Sequence, residues 1–248
     1  MEASKAVKGI SLLFILAVPL FLISASVAWG INDLRVYSHG FDKFDIPART
    51  GIERADLMQV GREMRGYFNS TTEPLNVRTS INGQERSLFN FREVSHMADV
   101  KSLVWGVYVW GAMAGVFLLV TTTLGFVLKG AAFAPMVSRW ALWGGGLTLG
   151  LIASVGLAAL VAFDQLFLAF HKVSFTNDFW RLDPSRDYLV IVFPEGFWLD
   201  ATLFVGLVAI GEALVLSAAS GGYLLARRRR EGRELEPTVG ETENAVQV

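Results

Sequence analysis

Residues 102–128 read SLVWGVYVWGAMAGVFLLVTTTLGFVL, twenty-seven positions without a charged side chain. An α-helix rises about 1.5 Å per residue, so about 20 apolar residues cross the roughly 30 Å hydrocarbon layer of a bilayer. The stretch is long enough, and it is not alone. Gly9 to Asn32 and Trp140 to Phe163 also lack charge, and Ala201 to Ala226 carries only Glu212. Lipid offers backbone N–H and C=O groups no partner, which forces such segments into helices. The reading is an α-helical membrane protein, a four-transmembrane-helix bundle with spans within residues 1–30, 102–128, 140–163 and 201–226.

Orientation follows from the short cationic flanks. Lys5 and Lys8 precede the first span, Lys129 and Arg139 bracket the turn at 129–139, and Arg227 to Arg230 follow the fourth. Alternating spans place all three segments on the cytoplasmic face, with both termini, and leave residues 31–101 and 164–200 outside. Ser26-Val27-Ala28 loosely resembles a signal-peptide cleavage site, but the apolar run is longer than a typical signal core, so the first span is expected to be retained.

The first outer loop is patterned. Leu57, Val60, Met64, Tyr67 and Phe68 fall at helical spacing, which predicts an amphipathic helix over 56–68. Val77, Thr79 and Ile81 then alternate with polar residues up to Asn82-Gly83, a type I′ hairpin signal, with Glu85 to Phe89 as the return strand. Residues 31–101 therefore read as a small extracytoplasmic α+β cap. The second loop, 164–200, is rich in aromatics, which settle at membrane interfaces. The tail, 227–248, is polar and aperiodic from Glu231, and reads as disordered. Gly111/Gly115 and Gly146/Gly150 are small-residue pairs at four-residue spacing and are expected to pack helices closely.

Composition narrows the chemistry. A net charge of −1 gives no case for nucleic-acid binding. The absence of cysteine removes disulfides and thiol nucleophiles. No GxSxG, HExxH, Walker or GxGxxG pattern occurs, so no cofactor is expected. No motif specifies an oligomeric state.

Of the three histidines, His39 reads as a solvated loop residue. His96 runs straight into the second span, with Glu93 and Asp99 three residues to either side and on the same helical face. Flanking carboxylates are expected to fix its tautomer and raise its basicity. His171 follows the third span at the same depth. Glu212 lies midway along the fourth span, where a carboxylate usually faces the bundle interior, either protonated or paired with Thr148 or Ser154. On residues alone, three readings stay open: an acyl-transfer enzyme, another lipid-modifying or metal-dependent membrane hydrolase using His96, His171, Asp99 and Asp183, and a non-enzymatic transport or assembly protein.

Two blocks carry a resemblance. Glu93-Val94-Ser95-His96-Met97-Ala98-Asp99-Val100-Lys101 resembles the E-x-x-H-M-x-D-V-K block of a bacterial integral-membrane family that includes the lipoprotein intramolecular transacylase, Lit. Phe170-His171, Phe175, Asn177, Trp180, Leu182-Asp183-Pro184, Asp187 and Phe193-Pro194-Glu195 are similar to its second block. Where the family pattern ends in two phenylalanines, this chain has Phe197-Trp198. The resemblance implies that the substrate is a diacylated bacterial lipoprotein in the cytoplasmic membrane. Its sn-2 acyl chain moves to the α-amine of its N-terminal cysteine, leaving a lyso-form lipoprotein. It also implies that His96 and His171 are the catalytic residues, with no metal. Arg92, Glu93, Asp99, Asn177, Trp180, Asp183 and Asp187 are supporting candidates, Arg92, Asn177 and Trp180 among them as donors near an oxyanion. His96 is provisionally the base.

Overall fold

The structure, a computed structural model, describes residues 2–234. Its elements are α1 (Glu2–Asn32), α2 (Leu34–Lys43), α3 (Ile46–Thr50), α4 (Arg54–Phe68), β1 (Arg78–Ile81), β2 (Gln84–Ser87), α5 (Phe91–Lys129), α6 (Ala134–Ser174), α7 (Tyr188–Val192) and α8 (Glu195–Glu234). Three helical stretches are long and apolar enough to cross a membrane: Lys5–Asn32, Phe91–Ser174 and Glu195–Arg233. The second, of 84 residues, is broken by a 3₁₀ turn at Gly130–Phe133 into α5 and α6. Phe133 tucks into the notch left by Gly125 and stacks edge-on against Phe126 and Trp140.

α1 is the central helix, in contact with α5, α6 and α8; α6 and α8 pack along one another. The approach is close where side chains are absent. A Cβ on Gly111 would meet Ser24 at 2.7 Å, one on Gly115 would meet Phe21 at 2.8 Å, and one on Gly144 would meet Val18 at 2.6 Å. Gly146 and Gly150 meet nothing. They face outward, so this pair does not pack helices; the adjacent Gly144 and Gly145 do. Leu119, Val127, Leu128, Val161 and Val215 stay exposed on the outer surfaces of the bundle. In water that much bare apolar surface would aggregate; in a bilayer it is the face that lipid covers. Glu212 receives a hydrogen bond from the buried Ser26 Oγ at 3.2 Å, on α1. Thr148 and Ser154 instead donate to their own helix, at Gly144 O and Gly150 O.

Between α1 and α5 the chain builds a second, compact core. Asp33 caps α2 by accepting from Arg35 N at 2.9 Å, and Leu34, Tyr37 and Phe41 turn to one side. The sequence reads His39 as a loop residue, and the structure corrects this: Leu34, Tyr37 and Phe41, at helical spacing, bury one face of α2, and His39 lies on that helix. Gly51 ends α3 with φ 70°, the left-handed region that glycine tolerates, and Asn82 N donates to its carbonyl at 2.9 Å. Asn82 and Gly83 both have positive φ, 51° and 78°, as a type I′ turn requires. They pair Ile81 with Gln84. Leu57, Val60, Met64 and Tyr67 on α4 bury against Val77 and Ile81, and the core continues into Leu189, Val192, Phe193 and Phe197. Lys101 bolts this unit to α5. Its ammonium donates to Thr72 O at 2.7 Å, pairs with Glu73 at 3.0 Å and lies 4.1 Å from the Tyr67 ring centre.

α8 stays helical to Glu234, so the tail's first residues, 231–234, are ordered where the sequence reads disorder. Residues 235–248 of that reading lie outside the described residues. The glycine geometry yields a paired test. Gly111→Leu should force α1 and α5 apart, an overpacking cost of about 1–3 kcal/mol. That corresponds to a fall of about 2–12 °C in the melting temperature of the detergent-solubilised protein. Gly150→Leu should leave it unchanged, and an equal fall for both would refute the assigned packing.

Candidate active site

The long helices continue past the charge-free stretches, so His96 and His171 sit on helical turns beyond residues 102–128 and 140–163. α6 reaches His171 through a break at Ala162 (φ −149°, ψ 51°). The backbones of α5 and α6 hardly approach one another, yet here their side chains meet. The imidazole centres of His96 and His171 are 5.8 Å apart at an interplanar angle of 33°. Both residues are buried, 7% and 8% exposed.

Aromatic rings enclose the pair. Phe175 stands edge-on to His96 at 4.9 Å and lies 5.5 Å from His171. Phe167 is 4.3 Å, Trp180 5.2 Å and Phe170 5.4 Å from His171. Phe163, Phe167, His171 and Phe175 recur every fourth residue, a one-face helical ladder. That spacing was legible, but only the contacts reveal that it wraps the imidazoles.

His171 Nδ1 lies 2.7 Å from the carbonyl of Phe167. A carbonyl only accepts, so Nδ1 carries the proton and Nε2 keeps its lone pair. His96 Nδ1 is buried with no partner. Burial, with a smaller contribution from His171, lowers the His96 pKa to about 4, against the raising effect of Asp99. Burial also lowers His171, partly offset by its bond to Phe167. Both rings are therefore neutral near pH 7. The expectation that flanking carboxylates leave His96 more basic fails because burial outweighs the raising effect of Asp99. Glu93 turns to the backbone, and Asp99 accepts from Asn177 Nδ2 at 2.9 Å.

The supporting candidates divide by what they touch. Trp180 contacts His171 directly. Asn177 also accepts from Phe179 N at 3.0 Å and so shapes the loop. Arg92 Nη2 donates to Asp178 O at 2.9 Å and Arg181 O at 3.0 Å, holding that loop on the first turn of α5; its Nε is buried without a partner. Glu93 completes a capping box at the start of α5, accepting Asn90 N at 2.7 Å, and also accepts Leu189 N at 2.5 Å. Its burial raises its pKa. Asp187 accepts from Asn90 Nδ2 at 2.9 Å and Asp183 N at 2.7 Å. Asp183 caps Ser185. Glu93, Asp183 and Asp187 are thus scaffold, away from the imidazoles. Among the described residues, no three His, Asp or Glu side chains converge to hold a metal ion, so the set His96, His171, Asp99 and Asp183 is not assembled.

Glu93→Ala would strand the buried Leu189 N–H at about 1–3 kcal/mol and remove the capping bond to the half-buried Asn90 N–H. It should lower the melting temperature and loosen the loop over His171. Faster deuterium uptake at residues 175–190 would register this, and unchanged uptake would contradict the scaffold role.

The family model described as lipoprotein intramolecular transacylase Lit matches residues 12–198. An uncharacterized protein of Aquifex aeolicus (strain VF5) is 32% identical over 127 residues, 49% of this chain and 51% of that protein. The chain thus spans about half the length of the curated relative it matches. Among solved structures, the membrane integral lipoprotein intramolecular transacylase Lit from Bacillus cereus superposes with a TM-score of 0.77 at 17% identity, covering 92% of this chain and 99% of that one. A form of the same protein with a histidine-to-arginine mutation gives 0.73 at 16%, with coverages of 92% and 96%. The solved structures share the fold, a multi-pass, largely helical membrane protein. With the family model matching most of its length, the chain belongs to the lipoprotein intramolecular transacylase Lit family.

Proposed function

We propose that the chain is an acyltransferase that moves the sn-2 acyl group of a diacylated lipoprotein to the α-amine of its N-terminal cysteine. It would act from the bacterial cytoplasmic membrane. In this reading α1, α5, α6 and α8 cross the bilayer, both termini are cytoplasmic, and the two histidines work at the extracytoplasmic leaflet beneath the cap. The observation that carries it is the contact of two neutral, buried imidazoles inside an aromatic enclosure.

The substrate supplies its own nucleophile, which fits a site without a Ser or Cys nucleophile. The α-amine has an ordinary pKa of about 7.7–8.0, and an apolar pocket favours its neutral, attacking form. His171 Nε2, with its lone pair free, takes the proton as the amine nitrogen bonds to the ester carbonyl carbon. His171 rather than His96 is the base, because the Phe167 carbonyl stabilises its charged form. As the bond from the carbonyl carbon to the sn-2 oxygen breaks, protonated His171 passes its proton to the adjacent His96 ring while His96 releases one to the departing oxygen, so that one proton moves in total from nitrogen to oxygen and both rings end neutral. Holding amine and ester of one molecule together can supply effective molarities of about 10⁵–10⁸ M. The aromatic walls exclude water that would hydrolyse the ester. The unpartnered Arg92 Nε–H is the candidate donor to the developing oxyanion.

Mass spectrometry of lipoprotein N-termini in a host lacking the activity tests the reading. Expressing the chain should convert diacylated to lyso-form lipoprotein. His96→Ala or His171→Ala should abolish the conversion, and no conversion by the wild-type chain would sink the assignment. In a purified assay, the rate between pH 6.5 and 8 should follow deprotonation of the substrate amine. The enzyme's own acid limb should fall below pH 6.5, because both histidines stay neutral to lower pH than usual; an enzyme limb above 7 would contradict the buried pair.

A further inference from the structure

Asp99 stands one helical turn past His96 on the same side of α5, at the rim of the imidazole cluster, and it is only half-buried. Its Oδ2 accepts from Asn177 Nδ2 at 2.9 Å. Asn177 comes two residues after Phe175, the ring that stands against both histidines. Among the described residues, Asp99 Oδ1 accepts no hydrogen bond and Asp99 makes no ion pair. The charged groups around it are engaged without it. Lys101 is taken by Thr72 O and Glu73, and Tyr67 Oη donates to the same Glu73. Arg92 Nη2 is taken by the carbonyls of Asp178 and Arg181. The charge of Asp99 is felt at the site, where it draws the His96 pKa upward against burial. An anion with a free oxygen therefore stands beside two neutral rings.

The proposed reaction brings a cation to this place. An α-amine with an ordinary pKa of about 7.7–8.0 arrives at pH 7 mostly as ammonium, and a dry enclosure disfavours a charge that enters without a partner. We propose that Asp99 is a positioning residue that receives the α-ammonium of the substrate's N-terminal cysteine, its Oδ1 accepting one N–H while Oδ2 stays on Asn177. The inference rests on the transacylase reading and adds selectivity to it. A free α-amine carries a charge for the carboxylate to pair with, and an amide nitrogen carries none. A lipoprotein whose amine is already acylated is therefore passed over. At this half-exposed rim the ammonium releases one proton to water, and the neutral amine is left next to the lone pair of His171 Nε2.

The test uses two unreactive lipopeptides in which dialkyl ethers replace the diacyl esters, one with a free α-amine and one N-acetylated. Their binding to the full chain in detergent is read by displacement of a fluorescent copy. At pH 6.5 the wild type should hold the free amine about tenfold more tightly, the scale of a hydrogen bond to a charged group. The preference should fade above pH 8 as the ammonium deprotonates. Asp99→Asn keeps a carbonyl oxygen for Asn177 Nδ2, so the loop stays in place, and it should erase the preference; Asp99→Glu should restore part of it. A purely structural Asp99 would instead change the binding of both lipopeptides alike. Equal binding of the two by the wild type, or a preference that survives Asp99→Asn, would overturn the role of Asp99 and leave the transacylase reading standing. If neither lipopeptide binds, the lipoprotein reading itself falls, and this role with it.

Discussion

Glu93 is 1% exposed and gives its two carboxylate oxygens to the N–H groups of Asn90 and Leu189. The two donors come from segments almost a hundred residues apart, one opening α5 and the other in α7. Burying a carboxylate is costly unless its oxygens are hydrogen-bonded. Here the backbone groups that need acceptors supply the bonds. The knot fixes the first turn of α5 against the second loop, and the geometry of the site follows from it. His96 is one turn further along α5. Trp180 rides on the loop that Arg92 and Asp187 pin to the same turn.

Lipid imposes the complementary constraint. The crossing segments must satisfy their own backbone groups, so irregular chain gathers outside the apolar stretches. The chemistry gathers there too. α5 and α6 keep their backbones apart, and the imidazole contact at their ends spans the gap. α1 provides the common surface on which α5, α6 and α8 are placed. It can do so because Gly111, Gly115 and Gly144 let their helices approach it within van der Waals range. The same helices leave their other faces bare for lipid, which explains why Gly146 and Gly150 touch nothing.

The electrostatics of the pair come from enclosure rather than from partners. Phe167, Phe170, Phe175 and Trp180 remove water from the imidazoles, and desolvation disfavours the charged form. Asp99 pulls the His96 pKa upward, but burial outweighs it. Two neutral rings suit the proposed transacylation, which begins and ends neutral and moves a single proton.

Much was legible without coordinates. Charge-free stretches announce long apolar helices because hydrophobicity and length are properties of a segment. Asn82-Gly83 announces its hairpin because only residues that accept positive φ make that turn. Leu57, Val60 and Met64 announce α4 by their spacing. His96 and His171 stood out by their common depth at the ends of two apolar stretches and by the two blocks in which they sit. Tertiary structure decided the rest. That the two rings meet, that Glu93 takes Leu189 and Asp99 takes Asn177 as partners, and that Glu212 meets Ser26 instead of Thr148 are all facts of proximity. A sequence states which groups are available. Which partner each one takes depends on how segments far apart in the chain are packed, and on how much water that packing leaves.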